Sequence, residues 1–146
     1  VAPSNVRGII LSEGFVHEIG HSIVQPYLYV DGSNLKSQNG EVTSGLEAML
    51  QFAELAEQHP PISHYASTYR GEKNKFYSGD HTRLKTAISE EFCETIAAFF
   101  LGFAFCGDDR RSKDPFKDRP EIRDFVRNFL DAELVGPKVV LKSKYE

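Results

Sequence analysis

Two histidines four residues apart, with a glutamate directly after the first, constrain this chain more than any other feature: His17-Glu18-Ile19-Gly20-His21. Residues i and i+4 share one face of an α-helix, so if this segment is helical the two imidazoles can hold one zinc ion between them. Glu18 then sits beside the metal. With only 5 His in 146 residues, a shuffled chain shows the pattern roughly once in seventy tries, so its surroundings must carry the rest of the argument. On a helical wheel Phe15, Val16, Ile19 and Ile23 fall on one side, and the two histidines fall on the other beside Gly14 and Val24. The histidine face is therefore not simply a wet one.

A catalytic zinc has three protein ligands and keeps a fourth position for water, so one ligand must come from elsewhere. The extended pattern with a third histidine six residues after the second is absent, because Val24 and Tyr27 stand where Gly and His are required. The remaining common route is a carboxylate on another helix, and Glu90-Glu91-Phe92-Cys93-Glu94 offers three. On that helix Ile88, Phe92, Ile96, Phe99 and Phe103 define a core side, while Glu90 and Glu94 lie together opposite, with Ala97 and Leu101. This phase assigns Glu90 as the third ligand and Glu94, one turn on, as the acceptor of an imidazole N–H, which fixes that ring's tautomer. Glu91, about 60° round the helix from Glu94, is the substitute ligand.

The combination resembles the glutamate-zincins, and more narrowly the lethal-factor-like metalloproteases, in which HExxH is followed by a tyrosine-containing segment and an E-x-x-x-E helix. The matching pieces run from about residue 15 to 100: the HExxH segment, then Pro61-Ile62-Ser63-His64-Tyr65-Ala66-Ser67-Thr68, then the glutamate segment. The resemblance implies that Tyr65 hydrogen-bonds the developing oxyanion. Residues 66–89 intervene before Glu90, more than the family usually has, which leaves Tyr69 and Tyr77 as alternatives. It also implies a zincin-like catalytic domain, with a β-sheet upstream of the HExxH helix for which little chain precedes Ser12, so the sequence reads as a C-terminal piece. A secreted or host-delivered effector is the implied setting.

Read along its length, the sequence predicts a mostly α fold, α+β if an upstream sheet is present, in a single domain over residues 1–146. A strand is expected over residues 6–11 from its β-branched content, then a helix over 12–25 capped by Ser12 and stopped by Pro26. An extended piece over 27–30, a polar loop over 33–43, a helix from Ser44 to about residue 58 with Leu46, Met49, Leu50, Ala53 and Leu55 inward, and a short helix from Ser63 follow. Residues 70–85 read as an exposed excursion, 86–105 as the most apolar helix with Phe99 and Phe100 in the core, and 108–119 as a charged, solvated connector. Pro120 opens a last amphipathic helix carrying Ile122, Phe125, Val126 and Phe129. The tail over 138–146 has no assignment. His59, His64 and His81 read as solvated, and Cys93 and Cys106 as free thiols.

A net charge of −4 is too mild for a dedicated nucleic-acid binder, and the longest uncharged stretch, residues 95–107, is too short to span a membrane. The functional expectation is a zinc metalloendopeptidase acting on a peptide or protein substrate. Its cofactor is Zn²⁺, held by His17, His21 and Glu90, with Glu18 taking the proton of the attacking water. The rival expectation is a non-catalytic or regulatory module that retains the metal site in closed form, with Cys93 the thiol to suspect as a fourth ligand.

Overall fold

A computed structural model describes residues 4–77, 79–107 and 110–136. The chain is mostly helical with a small sheet. Helix α1, Ser4–Tyr29, leads through strands β1, Asn34–Lys36, and β2, Val42–Ser44, to helix α2, Gly45–Ala56. The four-residue helix α3, His64–Ser67, and a single 3₁₀ turn, Glu72–Asn74, precede the second long helix, α4, His81–Leu101. Strands β3, Ala104–Gly107, and β4, Arg110–Ser112, then helix α5, Pro120–Asp131, and strand β5, Glu133–Val135, complete the order. β1 is the middle strand of an antiparallel sheet β2-β1-β5, with Leu35 opposite Thr43 on one side and Leu134 on the other. β3 and β4 form a separate antiparallel hairpin.

Helix starts and stops follow from single residues. Ser44 caps α2 by accepting from Glu47 N at 3.1 Å, Asp80 caps α4 by accepting from Thr82 N at 2.9 Å, and Pro120 opens α5. Gly102, at φ +78°, ends α4 in the left-handed conformation that costs a glycine little. Gly45 is required by crowding: a Cβ there would stand 2.8 Å from the Tyr27 backbone, where α2 starts against the end of α1.

Several expectations are corrected. Residues 6–11 continue α1 as helix; β-propensity is a weak, context-dependent preference, and nothing between Val6 and Ser12 obliges the helix to break. Nor does Pro26 stop α1. It lies in the last turn, where its missing N–H costs one helical bond, and the three residues beyond it bury Tyr27 and Leu28 in the core. The polar loop over 33–43 contains β1 and the start of β2, and the charged connector over 108–119 carries β4 and the buried Phe116. The excursion over 70–85 is only partly exposed: Arg70 and Phe76 are buried in it, and α4 already begins at His81. Phe100 is exposed, as are Phe15 and Ile19 on α1 and Leu46 and Leu50 on α2.

The core lies where α1, α2, α4 and α5 meet. Phe92 is its hub, edge-on to Phe52 at 4.7 Å and to Phe129 at 4.8 Å between ring centroids, with Val24, Met49, Ile88, Ile96, Ile122 and Val126 around them. Burying each such side chain stabilises by about 1.5–3 kcal/mol, the main term holding α4 against three partners. On α4 every residue from Ala87 to Ala98 except Glu90 is buried, because one face packs on the aromatic core and the other on α1. The helices approach closely at Gly20, where a Cβ would meet Cys93 at 3.2 Å. That approach brings the histidine face of α1 against the glutamate face of α4. Among the described residues no helix is long and apolar enough to cross a membrane.

Candidate metal centre

One turn of α1 and one turn of α4 face each other across this contact. His17 Nε2 lies 3.1 Å from His21 Nε2 and 2.9 Å from Glu90 Oε2, and Glu90 Oε1 is 3.3 Å from His21 Nε2. Donors bound at about 2.0–2.2 Å to a tetrahedral zinc sit roughly 3.3 Å from one another, so the two imidazoles and the carboxylate converge with the spacing of one zinc coordination face. The donor set fits as well, being two ring nitrogens and one carboxylate with no Lys or Arg among the partners found for them. His17, Glu90 and His21 thus come together as the helical phases of their segments required. Glu91 does not: it points to the other side of α4, where it is buried against Arg70.

Each histidine is oriented from behind. His17 Nδ1 donates to Glu94 Oε2 at 2.7 Å, and Glu94 Oε1 accepts from Ser63 Oγ at 2.6 Å. Ser63 also accepts from Ala66 N at 3.1 Å, so the residue that caps α3 ties that short helix to the His17 carboxylate. On His21 the corresponding neighbour is a hydroxyl, Ser89 Oγ, 3.2 Å from Nδ1. Burial alone would lower the His17 pKa, but the hydrogen bond and charge of Glu94, with Glu90, raise it above the ordinary 6.5. Burial likewise works to raise Glu94, yet bonds from His17, Glu13 and Ser63 hold it below the usual carboxylate value.

The α3 segment delivers Tyr65. Its hydroxyl donates to Glu90 Oε2 at 3.2 Å, it lies 3.1 Å from the Tyr69 hydroxyl, and its ring stands edge-on to His17 at 5.4 Å. Burial raises its pKa above 10, with the Tyr69 hydroxyl and the Glu90 charge adding to the shift, so this phenol keeps its proton and remains a donor. Tyr69 stands behind it. Tyr77 lines a different cavity, with Thr68, Tyr69, Thr82, Arg83 and Thr86. Glu18 is exposed and lines a cavity of about 270 Å³ with Glu13, Gly14, His17, Tyr65 and Glu94. A second cavity, of about 220 Å³, opens at the His21 end between Gln25, Tyr29, Thr86, Ser89 and Glu90. The donor cluster is therefore reached from both ends.

Three residues here had gone unassigned in the sequence. Glu13 lies one helical turn before His17, so the same i, i+4 spacing could have found it; Ser63 signals only the start of a short helix within the tyrosine segment, and Ser89 carries no signal beyond standing next to Glu90. Folding pushes Glu13 from its ordinary 4.5 up to about 8, first through burial and then through its hydrogen bond to the Glu94 carboxyl and the repulsion of that charge. The folded chain thus holds a proton on Glu13 that the unfolded chain has released. Stability supplied by that protonated form is lost as pH climbs from about 4.5 through 8. Glu13→Gln, which keeps a donor toward Glu94 without an ionisable group, should flatten that decline: stability at pH 8–9 rises above wild type and at pH 5 changes little, in urea titrations on chelator-treated protein.

His59 is paired with Glu121, and His64 and His81 are exposed. Both cysteines are free, Cys106 exposed and Cys93 buried. Cys93, His17 and His21 each place a donor atom within 4.8 Å of one another, as do Glu13, His17 and Glu94. Comparison with known proteins returned no matching family model, no matching curated protein and no matching solved structure.

Proposed function

We propose that this chain is a zinc-dependent endopeptidase with a zincin-like, lethal-factor-like catalytic centre, hydrolysing peptide bonds with Glu18 as general base. The observation that carries the reading is the convergence of His17 Nε2, His21 Nε2 and the Glu90 carboxylate within 2.9–3.3 Å, from two helices held by an aromatic core. The sequence resemblance agrees with it. Zinc held by these three residues supplies Lewis acidity toward a water and toward the scissile carbonyl.

The chain's own residues supply the rest. Glu94 holds the His17 ring with Nε2 toward the cluster. Glu18, in the same cavity wall as His17 and Tyr65, takes the proton of the attacking water and returns it to the leaving amine. Tyr65, kept protonated, donates its hydroxyl hydrogen to the developing oxyanion. That role requires the hydroxyl to turn from Glu90, a small rotation about a phenolic C–O bond.

A second reading is favoured by one observation: Cys93 stands close enough to both imidazoles to close the site with a thiolate, which would make it structural. Purification without chelators followed by metal analysis, and incubation with a mixed peptide library, separates the two. Peptide hydrolysis should follow zinc content and cease on chelation. Full zinc occupancy with no cleavage, together with a sulfur-to-metal charge-transfer band after cobalt substitution, would favour the closed site. Tyr65→Phe should lower kcat roughly 10²–10³-fold with zinc intact, while Tyr69→Phe costs less and Tyr77→Phe little; equal activity of all three would remove Tyr65 from the mechanism.

A further inference from the structure

The helical stripe that carries the two histidines continues beyond them. Counting by fours along α1 gives His17, His21, Gln25 and Tyr29, and counting back by fours along α4 gives Glu94, Glu90, Thr86 and Thr82. The helices run antiparallel, with His17 against Glu94 and His21 against Ser89. Past the donor cluster, therefore, the same two faces go on with uncharged polar side chains. Between them lies the cavity of about 220 Å³ walled by His21, Gln25, Tyr29, Thr86, Ser89 and Glu90. His21 and Glu90 also belong to the donor cluster, so a side chain next to a carbonyl held at the centre reaches this space directly.

None of these walls is aliphatic. The Thr86 hydroxyl donates to the Thr82 carbonyl at 2.9 Å and Ser89 Oγ faces His21, whereas the side chains of Gln25 and Tyr29 hydrogen-bond no other described residue. They are the donors left for a guest. The Lys85 ammonium lies 5.7 Å from the centre of the Tyr29 ring, at the mouth. Thr86 is shared with the next cavity along α4, where the Arg83 guanidinium lies 5.3 Å from the Tyr77 ring. Among the described residues neither cation has a carboxylate partner. Glu90 is the one acid in the wall, and as a zinc ligand its charge is outweighed by the ion's. An aliphatic guest would cover the Gln25 amide and the hydroxyls without replacing their bonds to water. A carboxylate gains charge-assisted hydrogen bonds from Gln25 and Tyr29 and attraction from Lys85.

We propose that this cavity selects the substrate side chain next to the scissile bond and that it takes an aspartate or glutamate, with Gln25 and Tyr29 as hydrogen-bond donors and Lys85 as the cation at its mouth. The inference rests on the zinc endopeptidase reading and adds a substrate class to it: peptides with an acidic residue beside the cut.

The test uses peptide libraries that are random except for one central residue, fixed as Glu, Gln, Leu or Lys. Two quantities are read: the rate at which the zinc-loaded wild type cuts beside that residue, by mass spectrometry, and the retention of each library on zinc-loaded Glu18→Gln, which binds without cutting. Glu should exceed Leu about 10–100-fold in both, the range for a hydrogen-bonded charge, with Gln between and Lys lowest. Lys85→Glu should invert the order of the Glu and Lys libraries, and Gln25→Leu should bring Leu level with Glu, with zinc content unchanged in both variants. The part due to Lys85 should shrink as salt is raised to about 0.5 M. Cutting with no acidic enrichment on either side of the bond, or a Glu preference that neither variant moves, overturns the assignment of the cavity and leaves the endopeptidase reading standing. Selective retention of the Glu library by a wild type that cuts nothing keeps the pocket and removes the protease. A zinc-loaded chain that neither cuts nor retains any library removes both.

Discussion

Replacing Arg70 by alanine is expected to destabilise the fold by about 3–5 kcal/mol, the range for breaking one side of a buried ion pair. Arg70 lies in the stretch whose composition suggested a solvated excursion, yet its side chain and that of Glu91 are each only 2% exposed. Its Nε donates to Glu91 Oε1 at 3.1 Å and one terminal nitrogen to Glu91 Oε2, while the remaining donors serve the carbonyls of Ala56, His59 and Asn74. The guanidinium also stacks over Phe76 at 4.4 Å. One side chain thus ties the end of α2, the 3₁₀ turn and α4 together. Arg70→Ala strands a buried carboxylate and removes a donor from three carbonyls; Glu91→Ala leaves the guanidinium with its carbonyl partners, so it should cost less. Urea unfolding should therefore rank wild type above Glu91→Ala above Arg70→Ala, and a Glu91→Leu, Arg70→Leu double variant should recover part of the loss. If both single variants fall within about 1 kcal/mol of wild type, the pair is not what anchors this segment. Glu91→Ala should keep its zinc in the folded fraction, which separates this carboxylate from its neighbour Glu90.

That contrast shows what was legible in the sequence. Helical periodicity is local, and where a function needs two residues on one face it can be read directly; His17 and His21, and Glu90 and Glu94, lie as their spacing demands. The helix starts at Ser44 and Pro120 are equally local, whereas Asp80, which caps α4, lies inside the stretch whose composition suggested an excursion. What the spacing could not give is which face of a helix finds partners. Phe15 and Ile19 look like the inner face of α1, but α4 packs on the other, because Gly20 allows the closer approach and the histidines are satisfied there by Glu90, Glu94 and Ser89. Arg70 is the extreme case, since no local pattern marks an arginine whose partner is 21 residues away and whose other bonds go to backbone carbonyls. Pro26 misled for a related reason: the cost of one missing N–H is local, while the burial of Tyr27 and Leu28 that offsets it is not.

The sharpest separation of metal holding from chemistry is expected along α1 itself. His17→Ala and His21→Ala each remove one of three converging donors and should lose most of the zinc at any concentration where wild type is saturated. Glu18→Gln should retain it, because the Glu18 side chain lines the cavity without joining the donor cluster. Its effect should fall on turnover: an amide of nearly the same shape cannot accept the proton of the attacking water, a contribution of about 10²–10⁴-fold for a positioned base. Zinc analysis beside peptide-library cleavage reads both quantities on the same samples. The histidine variants differ in what they leave behind. Without the His17 ring, Glu94 loses its strongest partner and keeps Ser63 and Glu13, so its carboxyl should titrate higher, whereas without His21 only a serine hydroxyl is released. His17→Ala should therefore also lower stability more than His21→Ala in metal-free protein, with the gap largest near neutral pH, where Glu94 is charged. Equal zinc loss in Glu18→Gln and the histidine variants would place Glu18 among the ligands and leave the attacking water without its base. Retained zinc and retained cleavage in Glu18→Gln would remove Glu18 from the role of base.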